Sequence, residues 1–290
     1  MAKICYCILQ YNAHELTVKC VDSIMRVNQG KEFHIIVVDN ASKNNAYQVV
    51  AEKYKDIPFV QVCQTPSNLG FAKGNNYGYS IAKNTLKCNI IVMLNNDVEI
   101  DDSFSVDGIA DSYERSHADV IAPDVINSKG YHQNPMSVKL LSAKDAIMSI
   151  AKSFLAVVAV YTPVFGKRFY MKYENRKLLE LRATNKNIEK FHDHKFVPHG
   201  SCVVFTSNWI AHEKFAFVPK TFLFCEEDFL LLYILRNEYI LDFDPSLRIY
   251  HMGEGSITQE YNDGRKRMKF MYFKRIKSLW SYLLYYLFNK

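Results

Sequence analysis

Four stations along the 290-residue chain carry groups able to do chemistry: Asp39 with Asn40, the triplet Asn95, Asn96 and Asp97, the run Glu226, Glu227 and Asp228, and His251. Asp39 closes the apolar run IIVV, and its carboxylate can accept a hydrogen bond from a pyrimidine N3–H. Asp97 ends the run IIVMLNND and can bind a divalent cation that a pyrophosphate also coordinates. Hard oxygen ligands of this kind suit Mg²⁺ or Mn²⁺. A lone aspartate after a strand more often caps a helix or makes a turn. The two together point instead to a binding cleft. The acidic run precedes the apolar helix FLLLYIL, where negative charge also complements a helix dipole. That dipole does not explain three acids in a row flanked by Phe222, Phe224 and Cys225.

The elements that must position these residues alternate along the chain. KICYCILQYN, FHIIVVDN, FVQVCQ and CNIIVMLNND read as strands, separated by the helical patterns HELTVKCVDSIMRVN, AYQVVAEKY and FAKGNNYGYSIAKNT. Short apolar runs alternating with helices predict an α/β fold with a mostly parallel central sheet flanked by helices. Their continuous apolar character predicts burial on both faces. Such a sheet collects its functional residues at the carboxyl ends of its strands. Those ends carry Gln10, Tyr11 and Asn12; Asp39 and Asn40; and Asn95, Asn96 and Asp97.

No GxGxxG follows the first strand and no GxxxxGK[ST] occurs, which argues against dinucleotide and P-loop sites. Gly70, Gly74 and Gly78 would line one helix face, a spacing that also permits close packing. Asn68 in the preceding loop and Lys73 in the first helical turn could meet a phosphate there.

Composition sets further bounds. Apolar content of 49% with 23% charged residues is that of a folded protein. The seven cysteines are scattered through apolar runs without CxxC or zinc spacing, and read as reduced core residues of a cytosolic protein. The first residues lack the pattern of a secretory signal, and the longest apolar run, Phe154 to Phe165, contains Pro163 and is too short to span a bilayer. Eight of the 36 basic residues follow Asp263, where no acid occurs, leaving 28 basic against 30 acidic residues before it.

The ordered motifs ILQYN, IIVVDNAS, SNLGFAKGNN, MLNNDVEI, HGSCVVF, FCEEDFLL and IYHMGEGS, over residues 4 to 257, make the chain resemble a family-2 glycosyltransferase of GT-A fold. The likeness is greatest to the bacterial branch that builds rhamnose-containing and other surface polysaccharides. It implies a nucleotide-binding half over about 1–125, an acceptor-binding and catalytic half over about 126–263, and a basic amphipathic tail over 264–290. It assigns Gln10, Tyr11, Asn12, Asp39, Asn40, Asn68, Gly70, Lys73, Asn76, Asn95 and Asn96 to the nucleotide-sugar. Asp97 takes the place of the last acid of a DxD motif, and Asn95 and Asn96 replace its first positions without charge. His251 matches a histidine that completes the metal site, which tilts the cofactor from Mg²⁺ toward Mn²⁺. The acidic run supplies the catalytic base of an inverting transfer. Ungapped alignment of its helix puts Glu227 there, and the literal ED pair puts Asp228 there.

The resemblance implies a dTDP-rhamnose or UDP-sugar donor and a lipid-linked or growing glycan acceptor. A nucleotidyltransferase would show a glycine-rich loop where the sequence has QYNAHE, and a catalytically inactive nucleotide-sugar binder is the reading that the degenerate NND leaves open. Residues 126–196 read as a helical cover in preference to an acceptor-site insertion. The tail interleaves cations with Trp280, Tyr282, Leu283, Leu284 and other apolar residues. That pattern predicts peripheral contact with the inner face of the cytoplasmic membrane over simple packing, and argues against nucleic acid.

Overall fold

The computed structural model describes residues 3–160, 195–253 and 264–288. Much of the middle segment, including RKLLELRATNKNIEK, and the close of IYHMGEGS lie outside them. Eight strands form one sheet in the order β3-β2-β1-β4-β7-β6-β8-β5. In its first half β1 (Ile4–Gln10), β2 (His34–Asp39), β3 (Val60–Gln64) and β4 (Ile90–Asn95) alternate with α1 (His14–Val27), α2 (Ala46–Tyr54) and α3 (Gly70–Asn84). These four strands are parallel, with Gln10 beside Asp39 and Leu9 beside Asn95. The three predicted strand ends therefore share one edge. The strand order reverses between β1 and β4, where an open sheet leaves a crevice.

The second half comprises β5 (Val98–Ile100), α4 (Val106–Ser116), β6 (Val120–Asn127), α5 (Ala143–Val160), β7 (Cys202–Phe205), α6 (Ser207–His212), α7 (Glu226–Arg236), β8 (Leu241–His251) and α8 (Gly264–Phe288). β7 runs antiparallel to β4 and β6, β5 antiparallel to β8, and β6 parallel to β8. The sequence pattern does not announce β6, because Pro123 lies inside it. The structure accommodates the missing N–H at a break in register: Pro123 pairs with Asp244, and the next residue, Asp124, with Arg248.

Side-chain alternation divides the core into two layers. Ile4, Tyr6 and Ile8 of β1 pack with Cys20, Val21 and Ile24 of α1, whereas Cys5 and Cys7 face Ala72, Tyr79 and Ala82 of α3. Each large apolar side chain so buried contributes roughly 1.5–3 kcal/mol. A Cβ at Gly74 would press on Leu9 and Asn40, and one at Gly78 on Val38 and Cys7. The four-residue glycine spacing thus lets α3 lie close on the strands.

A third cluster joins Ala146 of α5, Phe229 and Leu232 of α7, and Tyr282 and Leu283 of α8. The basic aromatic segment is therefore a helix packed on the domain. It still exposes Phe273, Trp280, Leu284, Leu287 and Phe288, while the neighbouring α5 exposes Ile147, Met148, Phe154, Leu155 and Val158. No helix among the described residues is long and apolar enough to cross a membrane.

Candidate active site

At the end of β2, Asp39 is fully buried and receives four donors. The Ser42 N–H and the Gln64 amide reach Oδ1 at 2.9 and 3.0 Å, while the Ser42 hydroxyl and the Gln10 amide reach Oδ2 at 2.6 and 2.9 Å. Its lone-pair positions are filled. Of the side-chain donors, Gln64 is the exposed one at the sheet edge.

Gln10 starts a relay toward the end of β4. Its Oε1 accepts the Thr17 hydroxyl at 2.7 Å, and Thr17 Oγ1 in turn accepts the Asn96 amide at 3.1 Å. Asn96, Thr17, Gln10 and Asp39 are all buried, so each pairing avoids an unmet polar group in a low-dielectric interior. Thr17 lies in the first turn of α1, and nothing in its sequence context marks it for this role.

Other predicted nucleotide contacts are committed to building the loops. Asn12 has φ 59°, and its backbone N–H and Oδ1 bond Ser42 and Lys43. Asn40 holds the 65–70 loop, donating to Asn68 Oδ1 and Gly70 O and accepting from Leu69 N–H. Asn68 Oδ1 accepts the Gly70 N–H, and the Phe71 N–H bonds Phe222 O at 2.7 Å. The first amides of α3 are thus occupied, and Lys73 is its exposed cation. Asn76 clamps the backbone of Ala216 and Phe217. Tyr11 and Asn95 are half-buried beside the crevice.

Asp97 and His251 meet across the β5–β8 pairing. Met252 N–H bonds Asp97 O, and His251 Nε2 lies 3.4 Å from Asp97 Oδ2, both side chains being largely buried. His251 Nδ1 is 2.8 Å from Gln133 Oε1. An amide oxygen can only accept, so Nδ1 carries the hydrogen, and the other ring nitrogen, Nε2, is turned toward Asp97. An Nε2 lone pair and the Asp97 carboxylate could together hold a cation between them. With ligand bonds of about 2.1 Å, adjacent octahedral ligands lie roughly 3 Å apart, so this pair fits one Mg²⁺ or Mn²⁺. Among the described residues no group of three or more His, Cys, Asp or Glu converges on an ion position. The remaining ligands would be oxygens from outside the protein.

The His251 ring packs edge-on against His199, with centroids 5.2 Å apart. The Glu227 carboxylate lies against the next residue, Gly200. A Cβ at Gly200 would overlap the Glu227 carboxylate. The HGS sequence therefore joins the Asp97–His251 pair to the acidic run, and neither His199 nor Gln133 stands out in the sequence as a site residue.

Burial, reinforced by Glu227, pushes Glu226 up to about 8, although it accepts a hydrogen bond from Thr221. Burial raises Glu227 as well, opposed by the Gly200 N–H. Asp228 is pushed up to about 7 by burial and by Glu227, with Arg275 of α8 pulling the other way. Environment also separates the three: Glu226 turns to Thr221, Asp228 toward α8, and Glu227 toward Gly200.

The profile of glycosyl transferase family 2 matches residues 5–207, from β1 to the start of α6. The chain belongs to glycosyl transferase family 2. No curated protein matches it by sequence. The structure of S. aureus TarS 1–349 is 14% identical with a TM-score of 0.52, covering 99% of this chain and 75% of that one. The structure of S. aureus TarS gives 15% identity and a TM-score of 0.52 over 86% of this chain and 36% of that one. The complex of TarS 1–349 with UDP-GlcNAc is 22% identical over 44% of this chain, spans 36% of that one and has a TM-score of 0.38. Family membership and the curled, mostly parallel sheet place the family-2 chain in the GT-A fold.

Proposed function

We propose that this family-2 protein is an inverting glycosyltransferase that moves a sugar from a pyrimidine nucleotide donor, dTDP-rhamnose or a UDP-sugar, to a lipid-linked or growing surface glycan. The observation that carries the reading is the Asp97–His251 pair held beside Glu227 through His199 and Gly200. Asp97 and His251 would hold the divalent cation, which when bound offsets the charge of the leaving diphosphate. Asp39 lies at the base end of the crevice, where a pyrimidine N3–H would replace the exposed Gln64 amide. Lys73 is the cation that meets the phosphates.

Glu227 then acts as general base. Its carboxylate takes the proton of an acceptor hydroxyl, the freed oxygen bonds the anomeric carbon, and the bond to the diphosphate oxygen breaks with both electrons leaving on that oxygen. A single displacement inverts the anomeric centre. The apolar surroundings and raised affinity for a proton suit Glu227 to this task near neutral pH.

Thermal stability with Mn²⁺ against UDP, dTDP, GDP and ADP tests the reading, alongside Asp97→Ala. A rise with UDP or dTDP that requires both the metal and Asp97 is expected. No rise with any of the four would remove the donor site. Release of nucleoside diphosphate from a sugar donor separates an enzyme from an inactive binder.

The partner side of the proposal includes a lipid surface. The outward stripe of α8 runs from Lys269 through Phe273, Lys277, Trp280 and Leu284 to Leu287, and α5 presents Ile147, Phe154, Leu155 and Val158 beside Lys144 and Lys152. Cations beside an exposed apolar stripe suit an anionic headgroup layer, each adding about 1 kcal/mol.

A further inference from the structure

The segment that delivers the acidic run is strained and held from two sides. Phe224 and Cys225, consecutive residues with side chains, have φ of 75° and 67° and lead directly into Glu226. Each left-handed residue of this kind costs roughly 1–2 kcal/mol, and such strain persists only where the surroundings enforce it. On one side α3 grips the loop, with Phe71 N–H on Phe222 O and no room for a Cβ at Gly70. On the other side lies α8. Ser278 Oγ donates to Leu223 O at 2.7 Å, Ser281 Oγ donates to Lys220 O at 3.0 Å, and Lys274 Nζ sits 3.5 Å from the centroid of the Phe222 ring.

Ser278 is 3% exposed, a hydroxyl buried where its bond to Leu223 O satisfies it. A buried hydroxyl in an otherwise apolar interface is retained at a cost in desolvation unless it bonds. The docking of α8 also rests on other contacts. Tyr282 donates to Leu141 O, Arg236 donates to Tyr285 O and Tyr286 O, and Leu283 joins the apolar cluster with Phe229.

We infer that α8 belongs to the catalytic unit, with Ser278 and Lys274 as positioning residues that hold residues 220–225 so that Glu227 is presented at Gly200. The inference rests on the transferase reading for its effect on rate and on geometry alone for its effect on the loop. A displacement of about 1 Å at a reacting group is enough to lower turnover on the order of 10²-fold.

The experiment uses the full chain with Ser278→Ala, Lys274→Met and the double variant, a panel of UDP- and dTDP-sugars followed by nucleoside diphosphate release, and hydrogen exchange of residues 220–228. The double variant is expected to lose about 10²-fold in kcat per folded molecule while its UDP affinity with Mn²⁺ stays at the wild-type value and its Tm falls by only a few degrees. Exchange across 220–228 becomes faster, and Ser278→Thr with Lys274→Arg restores both readouts. Wild-type kcat and exchange in the double variant overturn the inference, as does a fall in Tm with unchanged kcat per folded molecule. A wild-type chain that turns over no sugar donor counts against the transferase reading, while exchange still decides whether α8 braces the loop.

Discussion

His251 Nδ1 sits 2.8 Å from Gln133 Oε1, and that contact decides which ring nitrogen faces Asp97. Gln133 reaches this place because residues 131–134 lie along β6, with Gln133 N–H on Val125 O and Ile126 bridged to His132. The flanking side chains are committed as well: His132 pairs with Asp124, and Asn134 bonds Pro123 O and the His199 N–H.

Replacing Gln133 by Leu removes the acceptor that fixes the His251 tautomer. Mn²⁺ affinity measured by calorimetry in the presence of UDP should fall about 10-fold or more, the scale set by loss of a partner that orients a metal-binding histidine. Unchanged affinity would show that the ring is oriented by something else, such as its packing on His199.

Glu227→Gln keeps the shape and removes the base. Nucleoside diphosphate release in the presence of acceptor should drop by about 10²–10⁴-fold with UDP or dTDP binding intact. Asp228→Asn should cost less, because Asp228 lies on the α8 side of the run. The opposite order would move the base to Asp228.

The raised affinity of Glu226 for a proton has a defined sign. Its folded value of about 8 exceeds the ordinary carboxylate value of an unfolded chain, so the folded state binds the extra proton. The resulting stability is fully present below pH about 4 and is lost as pH rises toward about 8. Denaturant midpoints of the metal-free protein should therefore decline between about pH 4 and 8, and Glu226→Gln should flatten that decline. A midpoint that climbs across this range in the wild type would contradict the assignment.

Gly70 has φ 78°, and an added Cβ would strike the backbone of Phe222. Gly30 has φ 77° with open space around it. Gly30→Ala should cost roughly 1–2 kcal/mol from backbone strain alone. Gly70→Ala should cost more, by the amount needed to part α3 from Phe222. Equal losses in chemical denaturation would mean that the loop shifts freely, which would weaken the case for a gripped 220–225 segment too.

Phe154→Ser with Leu155→Ser on α5 should reduce co-sedimentation with phosphatidylglycerol vesicles by about tenfold or more, since each exposed apolar side chain contributes on the order of 1.5–3 kcal/mol when buried. Phosphatidylcholine vesicles should bind weakly in either case. Full binding by the double variant would remove α5 from the lipid contact.

The strands that carry the shared polar edge are legible because IIVVD and IIVMLNND are apolar runs ending in polar groups. β6 is not, because Pro123 interrupts VIAPDVIN and its pairing is repaired only by β8, more than a hundred residues on. Asp97, His251 and Glu227 could be named from short motifs, and the structure sets His251 against Asp97 and Glu227 against Gly200. Asn76 looked like a ligand contact from its neighbours in SNLGFAKGNN. Its amide is instead spent on the backbone of residues 216 and 217, a contact between remote segments that no local pattern encodes. The same limit hid Thr17, Gln133 and His199, whose roles depend on which chain segment the fold lays against them.

The buried relay from Asn96 through Thr17 and Gln10 to Asp39 welds the two jaws of the crevice to one turn of α1. Jaws that moved independently would close on ligands of many lengths. If Asp39 takes the base and Asp97 the metal as proposed, these would act as a caliper of set span between the two. Under the proposed function, a sugar linked through a single phosphate would then be rejected for being too short, even with the right base at one end and the right sugar at the other.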